Sequence, residues 1–301
     1  MSTIAIVLVI LSAFIHAGWN LLSKSRHPTA SFFLLASLAG TLVLSPFIII
    51  YGRTIIPDMT LTVWALLIAS GFFLALYYVA LSGAYRAGDM SIAYPLARAT
   101  PVILVAVLTL MLGRGDQLSP LCLAGIVLVV AGCFLIPLAR LRDLRLRNYL
   151  TPICGLALLA AVGTAGYSIV DDEALRLLRA QSTLGITQTT LVYAGLDALS
   201  AAIWLFLFVI LRPRGRASLR QLLQTGKRYP MLAGCAIYIG YSLVLIALAF
   251  ADNVSYVVAF RQLSIPLGAI LGVLILKELP HRPKTFGVIV MFVGLFLVAI
   301  G

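Results

Sequence analysis

An all-α, polytopic membrane protein of ten transmembrane helices, arranged as two inverted five-helix repeats, is the fold that this 301-residue chain predicts. Composition is the first reason. Hydrophobic residues make up 62% of the chain and charged residues 11%, against soluble averages of about 45–50% and about 25%. Span length is the second: the apolar runs hold about 20 residues, enough for a helix to cross about 30 Å of hydrocarbon. The third is internal repetition. Asp116 is followed by Gly125 and Gly132, Glu278 by Gly287 and Gly294 at the same spacings, and His16-Ala-Gly-Trp19-Asn20 is answered by Thr164-Ala-Gly-Tyr167-Ser168. Two landmark pairs in the same order indicate a duplicated unit much longer than the ~20–50-residue periods of soluble repeat arrays, and duplication inside a membrane bundle points to a transporter.

Pro, Gly and charge punctuation places the spans near 3–22, 30–51, 60–84, 90–111, 119–138, 150–170, 187–211, 230–250, 254–276 and 284–300. Spans one to five form a unit over 1–147, and spans six to ten a unit over 148–301. The first span has no basic leader and no small-residue cleavage pattern, so it is expected to be retained. Basic stretches, Arg140 to Arg147 and Arg212 to Arg228, follow spans five and seven and read as loops. Lys and Arg number 16 in the loops after odd-numbered spans and 4 on the other side, which puts the odd loops in the cytoplasm and both chain ends outside. The net charge of +12 then follows from topology and attraction to anionic lipid, and no nucleic-acid partner is predicted. Because each unit has an odd number of spans, the second lies upside down relative to the first. Cys122, Cys133, Cys154 and Cys235 stand singly in apolar runs, without metal-ligand spacing, and read as packing residues.

Ten spans in two halves, with Ala-Gly-aromatic in the first helix of each and acid, glycine, glycine at the last hairpin, resemble the drug/metabolite transporter superfamily and, more narrowly, its EamA-like branch. The resemblance covers essentially the whole chain. It implies a proton-coupled or exchange-type carrier with a central cavity lined by the first, third and fourth helices of each half. One departure stands out: the first half reads Leu112-Gly-Arg-Gly-Asp116 where the family usually shows Leu-Gly-Glu, while the second keeps Lys277-Glu278. These acids are expected to cap or fix a hairpin.

Candidate site residues are polar groups that lipid would exclude. Arg98 lies in span four within Tyr94-Pro-Leu-Ala-Arg98-Ala-Thr-Pro101, and Arg261 lies in span nine within Tyr256-Val-Val-Ala-Phe-Arg261-Gln262-Leu-Ser264-Ile-Pro266. A central arginine costs about 2.5–3.5 kcal/mol on the insertion scale, so both should face the bundle interior. There they would bind a carboxylate, phosphate or phosphonate through planar paired donors; the competing reading pairs each with a buried acid or with carbonyls freed by Pro95, Pro101 and Pro266. His16 and Asn20 share a helix face with Trp19 alongside, as a cavity wall or as packing. Thr164, Tyr167 and Ser168 repeat that pattern. Tyr77, Tyr78, Tyr94, Tyr238, Tyr241 and Gln262 complete the polar candidates. Asp197 is the acid deepest in an apolar run, either a proton carrier or a static pair with an arginine or a neighbouring helix. Asp171, Asp172 and Glu173 are expected to form a solvated outer rim, and Gly268 with Gly272 a close helix contact.

The chain lacks a phosphate-binding Gly-rich loop with Lys-Ser/Thr, a nucleophile elbow and a His-Glu-x-x-His zinc motif. These absences argue against ATP-driven pumping, hydrolysis and a metal site, and no cofactor is predicted. The expectation is a secondary active carrier of a small anionic or zwitterionic metabolite, such as an amino acid, organic acid or phosphonate. It would act as a monomer or loose homodimer in a bacterial-type inner membrane, in contact with lipid and coupled to protons or run as an exchanger. The alternatives are a polytopic acyl or glycosyl transferase using a lone His or Asp, and a passive channel. An enzyme has no need of matching landmarks in both halves, whereas alternating access does.

Overall fold

A computed structural model describes residues 1–24, 28–87, 90–136, 138, 151–274 and 282–301; the side chains of 20–24, 85–87, 90–95 and 225 lie outside the description. The elements are α1 (Thr3–Lys24), α2 (Ala30–Ile55), α3 (Leu61–Ala87), α4 (Met90–Met111), α5 (Pro120–Leu135), α6 (Pro152–Gln181), α7 (Ile186–Ile210), α8 (Pro213–Thr225), α9 (Arg228–Ala247), α10 (Val254–Phe260), α11 (Ser264–Leu274) and α12 (Arg282–Ile300). No strand occurs among the described residues. Among the described residues, seven segments are long and apolar enough to cross a membrane, and three further apolar helices are shorter. Large apolar side chains cover the outside, among them Leu42, Ile49, Val127 and Phe296, each more than 60% exposed. A soluble monomer rarely shows so continuous an apolar exterior, whereas lipid solvates it.

The helix starts follow local chemistry. Ser119 and Thr151 each accept a hydrogen bond from the backbone N–H three residues on, and proline occupies the first helical position after each. α4 ends in a left-handed residue, Gly113 at φ 72°, with the Arg114 N–H returning to the Thr109 carbonyl and the Gly113 N–H to Leu110. That reversal needs a residue without Cβ, and it sets Arg114 facing the neighbouring helices. Asp116 itself is exposed in a 3₁₀ turn and makes no hydrogen bond. Capping of the hairpin therefore falls to Ser119, contrary to expectation; Glu278 lies outside the described residues.

Packing proceeds in crossed pairs. α2 lies along α7, α5 along α12, α3 on α6 and α9 on α1; α2 also meets α9, and α3 meets α7. Glycine makes the tightest crossing possible: a methyl added at Gly125 would stand 2.6 Å from the Gly294 carbonyl oxygen, and one at Gly132 would stand 2.9 Å from that of Gly287. Backbones this close gain dispersion contacts that lipid cannot supply. Gly268, by contrast, has open space where its Cβ would be. The expected close contact at Gly268 is thus absent, and the side of Gly272 lies outside the described residues.

Three segments differ from the sequence reading. The basic stretch 212–228 is not a loop throughout: Pro213–Thr225 is a helix that turns Leu219 and Leu222 inward and leaves Arg214, Arg216 and Arg220 exposed. Its apolar residues have a helical period, so it lies on the bundle as an amphipathic segment. Span six continues to Gln181, three turns past the expected end, because its acids find partners. Span nine is interrupted at Arg261–Leu263 by a 3₁₀ turn, where Pro266 removes the donor that the Gln262 carbonyl would otherwise receive. The stretch 140–147 lies outside the described residues.

Candidate functional site

A cavity opens between α1, α3, α4, α6, α9 and α10, and both Arg98 and Arg261 line it. The helix break after Phe260 positions Arg261. Its Nη2 donates to the Tyr167 hydroxyl at 3.4 Å, and its guanidinium carbon lies 5.9 Å from the Tyr167 ring centroid and 5.3 Å from that of Tyr241. Both distances suit a cation–π contact, which strengthens when the cation leaves water. No acid pairs with Arg261 among the described residues. Arg98, on α4, donates through Nη2 to the Ser264 hydroxyl at 2.6 Å. Ser264 in turn donates to the Arg261 carbonyl at 3.2 Å, so one small hydroxyl ties the two arginine positions together.

The remaining wall is largely the one the sequence indicates. His16, Trp19, Tyr77, Tyr78, Thr164, Tyr167, Tyr238, Tyr241 and Gln262 all line the cavity. Trp19 Nε1 donates to His16 Nδ1 at 3.3 Å, with the rings edge to face. That contact fixes His16 as an acceptor at Nδ1 and leaves Nε2 for the proton. Tyr77, Tyr167 and Tyr241 form a run of edge-to-face rings with centroids 6.1 and 5.5 Å apart, while Tyr78 stacks on Phe33 at 4.4 Å. The Thr164 and Ser168 hydroxyls donate to carbonyls of their own helix, so they supply acceptor lone pairs only. Gln262 donates to the Val258 carbonyl, and its buried Oε1 receives nothing. A planar cation pair, aromatic faces and an open amide oxygen together could bind a carboxylate at one end and an N–H donor at the other. The side chains of Asn20 and Tyr94 lie outside the described residues.

The acids overturn one expectation. Asp171 is not part of a solvated rim; it is completely buried. Its carboxylate accepts from Ser70 at 2.5 Å, from Tyr193 at 2.7 Å and from Tyr241, and those three donors are what make burial tolerable. Asp172 and Glu173 do sit near the surface, bound by Arg114 at 3.3 and 2.6 Å. Asp197 is also completely buried, yet neither oxygen receives a hydrogen bond. Among the described residues no arginine pairs with it, and Ser70 of the neighbouring helix α3 stands beside it but donates its proton to Asp171. Ser70, Tyr193 and Ser264 were missed from the sequence; Tyr193 stands four residues from Asp197, which offered a signal, whereas Ser70 and Ser264 are lone hydroxyls with only apolar residues or glycine four positions to either side.

Away from the cavity, at the end that carries both chain termini, the halves are joined by polar contacts. Arg114 bridges to Asp172 and Glu173, Asn253 Nδ2 donates to Gln117 at 2.9 Å, and Thr109 meets Ser255 at 3.1 Å. The ion-pair groups are 20–31% exposed. Pairs this wet contribute about 0–1 kcal/mol each, so they join this end without locking it.

Apolar helices around a polar, arginine-bearing cavity define a multi-pass integral membrane protein with a small-molecule site. Residues 3–138 match the EamA-like transporter family, which lies within the drug/metabolite transporter superfamily. Members of the family are generally membrane transporters of small metabolites. Solved structures agree on the fold: 24 chains match, among them a crystal structure described only as that of a protein, 17% identical with a TM-score of 0.70 over 100% of this chain and 98% of that one. No curated protein matches the sequence.

Proposed function

We propose that the protein is a secondary carrier for a small anionic or zwitterionic metabolite, working by alternating access and coupled to protons or run as exchange. The observation that carries this reading is the cavity, enclosed by the apolar helices, with Arg98 and Arg261 in its wall. A charged side chain there is costly and tolerated where it faces a wet cavity or a ligand. Two guanidinium groups favour carboxylate, phosphate or phosphonate, and the unbonded Gln262 Oε1 favours an amine at the other end, as in an amino acid.

Ten spans in two inverted halves, 1–147 and 148–301, give this carrier its moving parts. The packing pairs support that reading because each has a counterpart under exchange of halves: α3 on α6 answers α9 on α1, and α2 with α9 answers α7 with α3. The glycine crossings behave likewise, since Gly125 against Gly294 and Gly132 against Gly287 are one contact seen from two sides. Basic loops on one side favour a cytoplasmic face there, in a bacterial-type inner membrane. The Arg114 contacts then join the two halves on the outer side.

A thermal-shift screen of purified protein against amino acids, organic acids and phosphonates tests the proposal, because a ligand of the folded state raises its stability. Anionic or zwitterionic compounds are expected to raise the melting temperature of the wild type. They should have no effect on Arg98→Gln or Arg261→Gln, each still folded, and the same variants should abolish transport of the compound. Hits confined to cations, or hits unchanged by both substitutions, would remove the arginines from the mechanism.

A further inference from the structure

We propose that Asp171 and Asp197 form a buried proton site beside the cavity, with one proton held on Asp197 and a negative charge on Asp171, joined to Arg261 through Tyr241. The inference rests on the transport reading for its role but concerns two residues that do not line the cavity. Geometry assigns the two carboxyls different states. Asp171 accepts hydroxyl donors from three helices, Ser70 of α3, Tyr193 of α7 and Tyr241 of α9; such donors stabilise an anion. Asp197 has none, although both its oxygens are buried. An ionised carboxylate without a donor is far more costly to bury than a neutral acid.

The two acids are also neighbours. Tyr193 reaches Asp171, and Asp197 lies one turn further along the same face of α7. One turn beyond, Ser200 donates to the Leu67 carbonyl of α3, so Asp197 is held against the stretch of α3 that carries Ser70. Close carboxyls in a dry interior do not both ionise. The other titratable groups facing the pair are Tyr78 on α3, Tyr167 on α6, Tyr193 on α7, Tyr238 and Tyr241 on α9 and Arg261 at the helix break. α2, packed on the other side of α7, supplies only Ser37, which accepts from Tyr238 at 2.8 Å. Arg261 is thus the sole positive charge among these groups. Tyr241 connects it to Asp171, its hydroxyl on the carboxylate and its ring under the guanidinium.

The arrangement links ligand and proton. An anion that occupies Arg261 takes up the positive field that balances Asp171, so a proton entering Asp171 restores the charge balance of the interior. Anion and proton then arrive together and leave together, by linkage.

Infrared spectroscopy of the purified full-length protein tests the site without a ligand. At neutral pH the wild type is expected to show the carbonyl stretch of one buried, protonated carboxyl group. Asp197→Asn should remove that band, Asp197→Glu should displace it, and Asp58→Asn, at an exposed position, should leave it unchanged. Arg261→Gln should double the band as Asp171 takes a proton in place of the lost cation. Absence of the band from the wild type, a result that needs no variant to fold, would overturn the proposal, as would its persistence in folded Asp197→Asn. An unchanged band in Arg261→Gln would overturn the link to the cavity. A screen that finds no anionic ligand counts against the transport reading and leaves the band as it is, so the two failures are distinguishable.

Discussion

Arg98 and Arg261 occupy corresponding helices in the two halves of the sequence, yet they are held in unlike ways. Arg98 reaches across to Ser264, which belongs to the other half. Arg261 is held within its own half, by Tyr167 of α6 and Tyr241 of α9, and those rings lead on to Asp171 and Tyr193. The second half therefore carries a preassembled cation, aromatic and carboxylate group, whereas the first half supplies a cation whose hydrogen bond to Ser264 crosses the seam. In the alternating access proposed above, one half rocks against the other and a bond across the seam changes. A cluster inside one half can travel as a unit.

The largest effect that would break this comparison comes from exchanging each arginine for lysine. Lysine keeps the charge but lacks the planar face and the fork of donors. At 261 the compact, non-planar ammonium stacks less well on the two aromatic rings, whose contacts are worth about 0.5–2 kcal/mol each, and a loss of roughly 30-fold in affinity for the ligand found by screening is expected. At 98 a lysine can still donate to Ser264, and a loss below about tenfold is expected. Isothermal titration of the two variants decides the matter; equal losses would mean that the two sites are held alike.

That asymmetry was only partly legible in the sequence. The helices were legible because hydropathy and caps are local, and the arginines because charge in an apolar run is conspicuous. Asp171 was not. It sits in an Asp-Asp-Glu run that reads as a rim, and its donors Ser70, Tyr193 and Tyr241 lie 101, 22 and 70 residues away. Only tertiary packing brings them together. The helix over Pro213–Thr225 is a different kind of miss: Leu219, Leu222 and Leu223 already mark its apolar stripe among the arginines, but a basic stretch between spans draws the eye as a loop.

A smaller effect sharpens the role of the aromatic rings. Tyr167→Phe keeps the ring over Arg261 and removes only a long hydrogen bond of 3.4 Å, so ligand affinity is expected to change by less than about threefold. Tyr167→Leu removes the ring as well, and a further loss of roughly three- to tenfold is expected from the cation–π contribution. Binding isotherms for the two variants separate hydroxyl from ring. If Phe is as harmful as Leu, the hydroxyl, not the π-face, orients the guanidinium.

The smallest expected effect is at Ser264, and it probes the seam directly. Its hydroxyl accepts from Arg98 and donates to the carbonyl of Arg261, so Ser264→Ala cuts the bridge while leaving both guanidinium groups in the cavity wall. A hydrogen bond to a charged group contributes about 1.5–3 kcal/mol when buried, but Arg98 keeps the cavity and its water as an alternative, which reduces the loss. The melting temperature of the ligand-free protein is therefore expected to fall by a few degrees, while affinity for the anionic ligand changes by less than about threefold. The ligand should then restore more stability to Ser264→Ala than to the wild type, because its anion replaces the missing acceptor for Arg98. A loss of affinity as large as that of Arg98→Gln would show that the hydroxyl itself contacts the ligand, and that the two arginines act on it through a shared serine.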